Sequence, residues 1–224
     1  MDERTLYRLM VWLSPNFPVG AFAYSHGIEW AVEDGRIINS DTLIDWLSDV
    51  IQVGSGWSDA VLFSNAYDAN ENQKSLLELN NLACALAPTS ERFLETTAQG
   101  NAFVKAILDS WAWNNSAEIC AALKPNVSYP IIVAMAARGH GIDKKLALHA
   151  FIQATAANLV SAGVRLIPLG QSAGQQIIVK LEKVIESITK VASVAEISEI
   201  GGVAFLSDIA SMQHETQYTR LFRS

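Results

Sequence analysis

The chain has 224 residues, half of them hydrophobic and 17% charged, with 16 basic against 23 acidic side chains and a formal net charge of −7. That length and apolar content support one sizeable core and argue against general disorder. An acidic chain makes a poor general nucleic-acid binder, because phosphates demand a cationic surface, whereas it suits solubility and basic protein partners.

Helical periodicity dominates the chain from its start. A first helix is expected over 4–13, after which "LSPNFPVGAFAYSHGIEW", residues 13–30, breaks the pattern. Pro15 and Pro18 bias Ser14 and Phe17 toward extended backbone, and Gly20 permits a tight turn into a helix over 22–34. On that helix Phe22, Ser25, His26 and Glu29 would share one face, with Tyr24 and Ile28 on another. Gly35 can end it in a left-handed conformation. Ser40 or Asp41 can cap the next helix, over 41–53. Gly54-Ser55-Gly56 reads as a break before a helix over 57–69, and further helices follow over 72–86 and 91–112. Pro125 and Pro130 bracket a loop, with a helix over 130–138.

The two strongest helices come late. From Lys145 to Arg165, Leu148, Phe151, Ile152, Leu159 and Ala162 recur at three- and four-residue steps. From Gln171 to Val191, Ile177, Ile178, Leu181, Val184, Ile185 and Ile188 do the same, opposite a solvated face of Lys180, Glu182, Lys183 and Glu186. Pro168-Leu169-Gly170 separates them. Residues 186–202 are Ser/Glu-rich and are expected to end in a flexible loop at Gly201-Gly202. In the closing "MQHETQYTRLFRS", Tyr218, Leu221 and Phe222 form a helical stripe, with Arg220 and Arg223 on another side. Chain ends fray unless tied down, so this stripe should dock on the core or on a partner. The expectation is an all-α, single-domain bundle of about ten helices over 1–224, with a rigid Pro-rich amino-terminal loop and a partner-docking carboxyl-terminal tail.

The chemistry-bearing residues are few. No glycine-rich loop precedes a Gly-Lys-Ser/Thr, so nucleotide binding by a phosphate-cradling loop is not expected. His26 and Glu29, three apart, would offer two metal ligands from one helix face; two ligands alone are a common coincidence. His214-Glu215 diverge on a helix, and Ser25-His26 adjacency gives no sign of a triad. No catalytic, cofactor-binding or metal residue is therefore assigned. Cys84 and Cys120 have neither disulfide nor zinc spacing and predict two small buried side chains in a reducing cytoplasm. MDERTLYRLM does not read as a signal peptide, and no uncharged apolar run approaches the roughly 20 residues of a membrane helix, so neither secretion nor a membrane is expected.

Three segments together resemble the urease accessory protein UreF family: "LSPNFPVGAFAYSHGIEWAVEDGRI", "AGVRLIPLGQSAGQQII" and "HETQYTRLFRS", in that order and spanning nearly the whole chain. The resemblance implies an all-α protein without a catalytic site. It implies a homodimer that binds UreD (UreH in some systems), recruits the nickel-carrying GTPase UreG through that complex, and serves nickel delivery to apo-urease. Glu29 of "GIEW" and Arg165 of "AGVRLIP" then become exposed charges on the surface coupling to the GTPase. Some relatives carry lysine at the second position, and arginine pairs bidentately where lysine cannot. Tyr24, His26, Tyr218, Arg220, Leu221, Phe222 and Arg223 complete the expected partner-binding set. The rival readings are a small helical metal-dependent enzyme using His26 and Glu29, or an unrelated helical scaffold.

Overall fold

The computed structural model describes residues 2–69 and 72–224. Among them are eleven α-helices and no strand. In chain order these are α1 (Glu3–Trp12), α2 (Ile28–Glu33), α3 (Ser40–Val53), α4 (Ser55–Asp68), α5 (Gln73–Ala85), α6 (Ser90–Ser110), α7 (Ser116–Leu123), α8 (Tyr129–Gly139), α9 (Lys144–Leu166), α10 (Gln171–Ala192) and α11 (Phe205–His214). The all-α expectation is met.

Helices α4 and α8 form the centre. From Pro130 to Ala137 every residue of α8 is buried, as are Ala60 to Ser64 of α4. A helix apolar on all sides has to be enclosed. The enclosing helices include α3, α5, α6, α9 and α10. On α9 and α10 the apolar stripes read from the sequence face this core: Leu148, Phe151, Ile152, Leu159 and Ala162 are buried, as are Ile177, Leu181, Ile185 and Ile188. By length and composition alone α9 is long and apolar enough to cross a membrane, where no uncharged apolar run of that length was expected. Half of its apolar window is buried, and it packs on α2, α3, α4, α8 and α10. That is the behaviour of a core helix.

Several local expectations need correction. The cap of α3 is Asn39, whose side chain accepts from Asp41 N and Thr42 N, while Thr42 Oγ1 returns a bond to Asn39 N. This reciprocal box outcompetes Ser40 or Asp41 as the cap. Pro125 and Pro130 bracket a loop as expected, and Pro130 itself occupies the first turn of α8, where its missing N–H has no partner to lose. Cys120 is fully buried, with its thiol pushed up to about 11, whereas Cys84 is only partly buried. Helices α7 and α11 were not expected. The loop at Gly201-Gly202 is exposed, yet a Cβ at Gly202 would lie 2.1 Å from Val53 O, so the backbone there rests directly on the end of α3.

Candidate partner-docking site

The Pro-rich segment is a folded strap rather than the start of a helix. Phe17 N donates to Ser14 O and Val19 N to Phe17 O, and the Phe17 ring is buried 5.3 Å from Phe103. Gly20 turns left-handed at φ 74 and launches one 3-10 turn, Ala21–Ala23. Helix α9 ties that turn down, with Asn158 Nδ2 donating to Ala21 O and Arg165 Nη2 to Phe22 O. His26 and Gly27 then adopt two successive left-handed conformations, φ 61 and 77. A right-handed helix cannot pass through such a pair. The helix expected over 22–34 therefore begins only at Ile28.

This correction separates His26 from Glu29. His26 sits outside the helix, its Nε2 2.7 Å from Ser55 Oγ and its Nδ1 3.7 Å from Glu95 Oε1. Glu29 is the second residue of α2 and aims elsewhere. The shared face on which a two-ligand metal site depended does not form. Among the described residues no group of three His, Cys, Asp or Glu side chains is placed to hold a metal ion.

Gly27 explains where Glu29 points. A Cβ there would lie 2.8 Å from Ser211 N, so only glycine lets the start of α2 touch the backbone of α11. One turn further along α11, His214 is fully buried with Nε2 3.2 Å from Glu29 Oε2. Its other nitrogen, Nδ1, lies 2.7 Å from Glu91 Oε2 on α6.

The closing segment threads between these groups without becoming a helix, which corrects the helical stripe. Glu215 accepts from Ser90 N and Ser90 Oγ at the start of α6, and these bonds hold its carboxyl below the usual range. Gln217 donates to Glu33, and Arg220 Nη1 to Glu91 Oε1 at 2.8 Å. Glu29 accepts the backbone N–H groups of Leu221 (2.6 Å) and Phe222 (2.8 Å). Arg223 N donates to Ala23 O, while Ser25 donates its N–H and hydroxyl to Ser224 O. Ser224 Oγ donates to Glu95 Oε2. Two carboxylate pairs at four-residue spacing, Glu29/Glu33 on α2 and Glu91/Glu95 on α6, thus hold residues 217–224. Arg165 closes the clamp, its guanidinium 3.6 Å from the Phe22 ring centroid and 4.3 Å from that of Phe222.

Behind the clamp lies a charged interior. Burial would push the Glu95 carboxyl up, but the adjoining Arg92 guanidinium and His26 override it and hold it well below the carboxylate range. Burial lowers His26, reinforced by Arg92 and opposed by Glu95. Asp59, facing the same groups, is pushed by burial up to about 6. These side chains border a cavity of about 250 Å³ whose other walls include Val19, Tyr129, Phe151 and Asn158.

The nine residues singled out from the sequence therefore divide. Tyr24, His26, Glu29 and Phe222 are buried and Arg165 is half-buried, while Tyr218, Arg220, Leu221 and Arg223 are exposed. Glu29, expected as an exposed charge, is instead a buried fastening of the tail, whereas Arg165 stays partly exposed and stacks on Phe222. Sequence reasoning missed Glu33, Glu91, Glu95 and the inward role of His214. The only available signal was the four-residue spacing of each glutamate pair, which is identical to that of a solvated helix face.

All three sequence segments that carried the resemblance meet at this clamp: the strap and α2, the end of α9, and the closing residues. The family profile named UreF matches residues 37–182. A urease accessory protein UreF of Rhodopseudomonas palustris (strain HaA2) is 44% identical over 222 residues, covering 98% of this chain and 94% of that protein. The protein of that name from Bradyrhizobium diazoefficiens is 46% identical over all of this chain and 93% of its own length. The one from Methylorubrum populi is 43% identical over 97% and 98%. The chain belongs to the urease accessory protein UreF family. Membership places it in urease maturation, and the strap, α2 and the tail lie outside the profile-matched core yet inside the region aligned with the Bradyrhizobium relative. In this UreF-family chain, the clamp leaves Tyr218 and Leu221 on the surface while Phe222 anchors beneath them.

Proposed function

We propose that this UreF-family protein is a non-catalytic cytoplasmic adaptor of nickel insertion, working as a homodimer. It binds UreD (UreH) through its clamped tail and, through that complex, recruits and regulates the GTPase UreG for nickel delivery to apo-urease. The observation that carries the reading is the tail itself. Four carboxylates, two backbone N–H groups and an arginine stack hold residues 217–224 against the body, yet Tyr218 and Leu221 remain exposed. An ordered segment presenting apolar side chains to solvent loses little entropy when a partner covers it. Each such side chain contributes about 1.5–3 kcal/mol on burial.

Co-expression with UreD and UreG followed by sizing tests the assembly, and a pull-down with UreD of a chain lacking Tyr218–Ser224 tests the tail. The truncated chain should keep its helical signal and lose UreD. Retained binding at wild-type strength refutes the tail as the docking element.

A further inference from the structure

Among the described residues His214 is the one fully buried histidine, and its ring nitrogens face two carboxylates, Glu91 and Glu29. A carboxylate only accepts, so a ring that makes both contacts needs a hydrogen on each nitrogen. Glu91 comes to this ring from α6 and Glu29 from α2, and each spends its second oxygen on the tail: Glu91 Oε1 on Arg220 and Glu29 Oε1 on Leu221 N. Removing the ring would leave two inward-facing carboxylates with nothing between them. Each would gain by rotating toward water, away from its tail partner.

We propose that His214 is the positioning residue of the tail clamp, donating from both ring nitrogens to Glu29 and Glu91 and so holding both carboxylates where they accept the tail. It touches neither Leu221, Phe222 nor Arg220 through any hydrogen bond of its own; it acts through the two glutamates. Its effect on a partner rests on the adaptor reading above, whereas its effect on tail order does not.

The test uses the full chain labelled with ¹⁵N-histidine. Each His214 ring nitrogen should carry a proton in the folded chain. In His214→Gln, hydrogen-exchange protection of the Leu221 and Phe222 amides should fall at least tenfold. Adding Glu91→Gln to that variant should recover part of it, since one of the two facing charges is gone; a merely structural role would give no rescue. A bare ring nitrogen in the native chain, or unchanged protection in His214→Gln, overturns the proposal, and the first readout decides even if the variant folds poorly. Loss of tail protection with UreD binding retained leaves His214 as positioning residue and overturns the tail-docking reading instead.

Discussion

Replacing Glu29 by alanine should release the tail and lower stability well beyond what a surface charge allows. The residue is 8% exposed, and its carboxylate accepts from Leu221 N and Phe222 N and lies 3.2 Å from His214 Nε2. Hydrogen bonds to a charged group are worth about 1.5–3 kcal/mol each, and breaking a buried charged cluster by removing one member costs about 3–5 kcal/mol. The anchors left around Leu221 and Phe222 are the Phe222 ring, worth about 1.5–3 kcal/mol, and the bonds from Arg223 N to Ala23 O and from Ser25 to Ser224 O. The tail should therefore loosen locally before the body unfolds, which limits the global cost to about 3 kcal/mol. For a domain of this length that corresponds to a fall in Tm of about 6–12 °C. Glu29→Gln keeps one acceptor oxygen but turns an N–H toward a backbone N–H, and should cost about half as much. Thermal melts paired with hydrogen exchange over residues 215–224 measure both parts. A shift under about 2 °C with full tail protection would refute the clamp, and would return Glu29 to the exposed-charge role, worth 0–1 kcal/mol, expected from sequence.

Arg165→Lys keeps the charge but not the flat ion between Phe22 and Phe222, and should loosen Phe222 at a cost of about 1 kcal/mol; tail exchange matching the wild type would show that stacking contributes nothing. Gly27→Ala meets both a positive φ and a Cβ 2.8 Å from Ser211 N, so it should cost more than about 2 kcal/mol by prising α2 from α11. Gly35→Ala, at φ 73 with open space around it, should show only the backbone penalty of about 1 kcal/mol in the same denaturant titration. Asp59 has its folded pKa raised from 3.8 to about 6, so its stabilising contribution is fully present below about pH 4 and is lost as pH rises through 6. The shift corresponds to at most about 3 kcal/mol, and contact with the cavity lowers that, so Asp59→Asn should gain about 1–2 kcal/mol at pH 7.5 and nothing at pH 4. An equal gain at both pH values would show that charge is not the cause.

Family and helix content were legible because they rest on local order. The stripes of α9 and α10 state which face is buried, since residues three and four apart share a face whatever lies opposite. Gly35 was legible as a left-handed helix end and Gly20 as a tight turn because glycine alone adopts positive φ without a Cβ penalty. Helix α7 was missed because its apolar pattern is short, and α11 because its stripe of Phe205, Leu206, Ile209 and Met212 is exposed while small residues, Ala210 and Ser211, face inward. The tail was misread because helical spacing at Tyr218, Leu221 and Phe222 is equally consistent with an irregular segment.

Sequence by itself determined the helices with strong apolar periods, the break after Leu13 and the three segments that mark the family. Tertiary structure alone decided what those segments do together. The backbone N–H groups of Leu221 and Phe222 have no nearby acceptor in sequence, and Glu29, 192 and 193 positions away, supplies one. A buried donor takes the partner that packing delivers, and no local pattern records that Gly27 lets α2 approach α11 closely enough to deliver it.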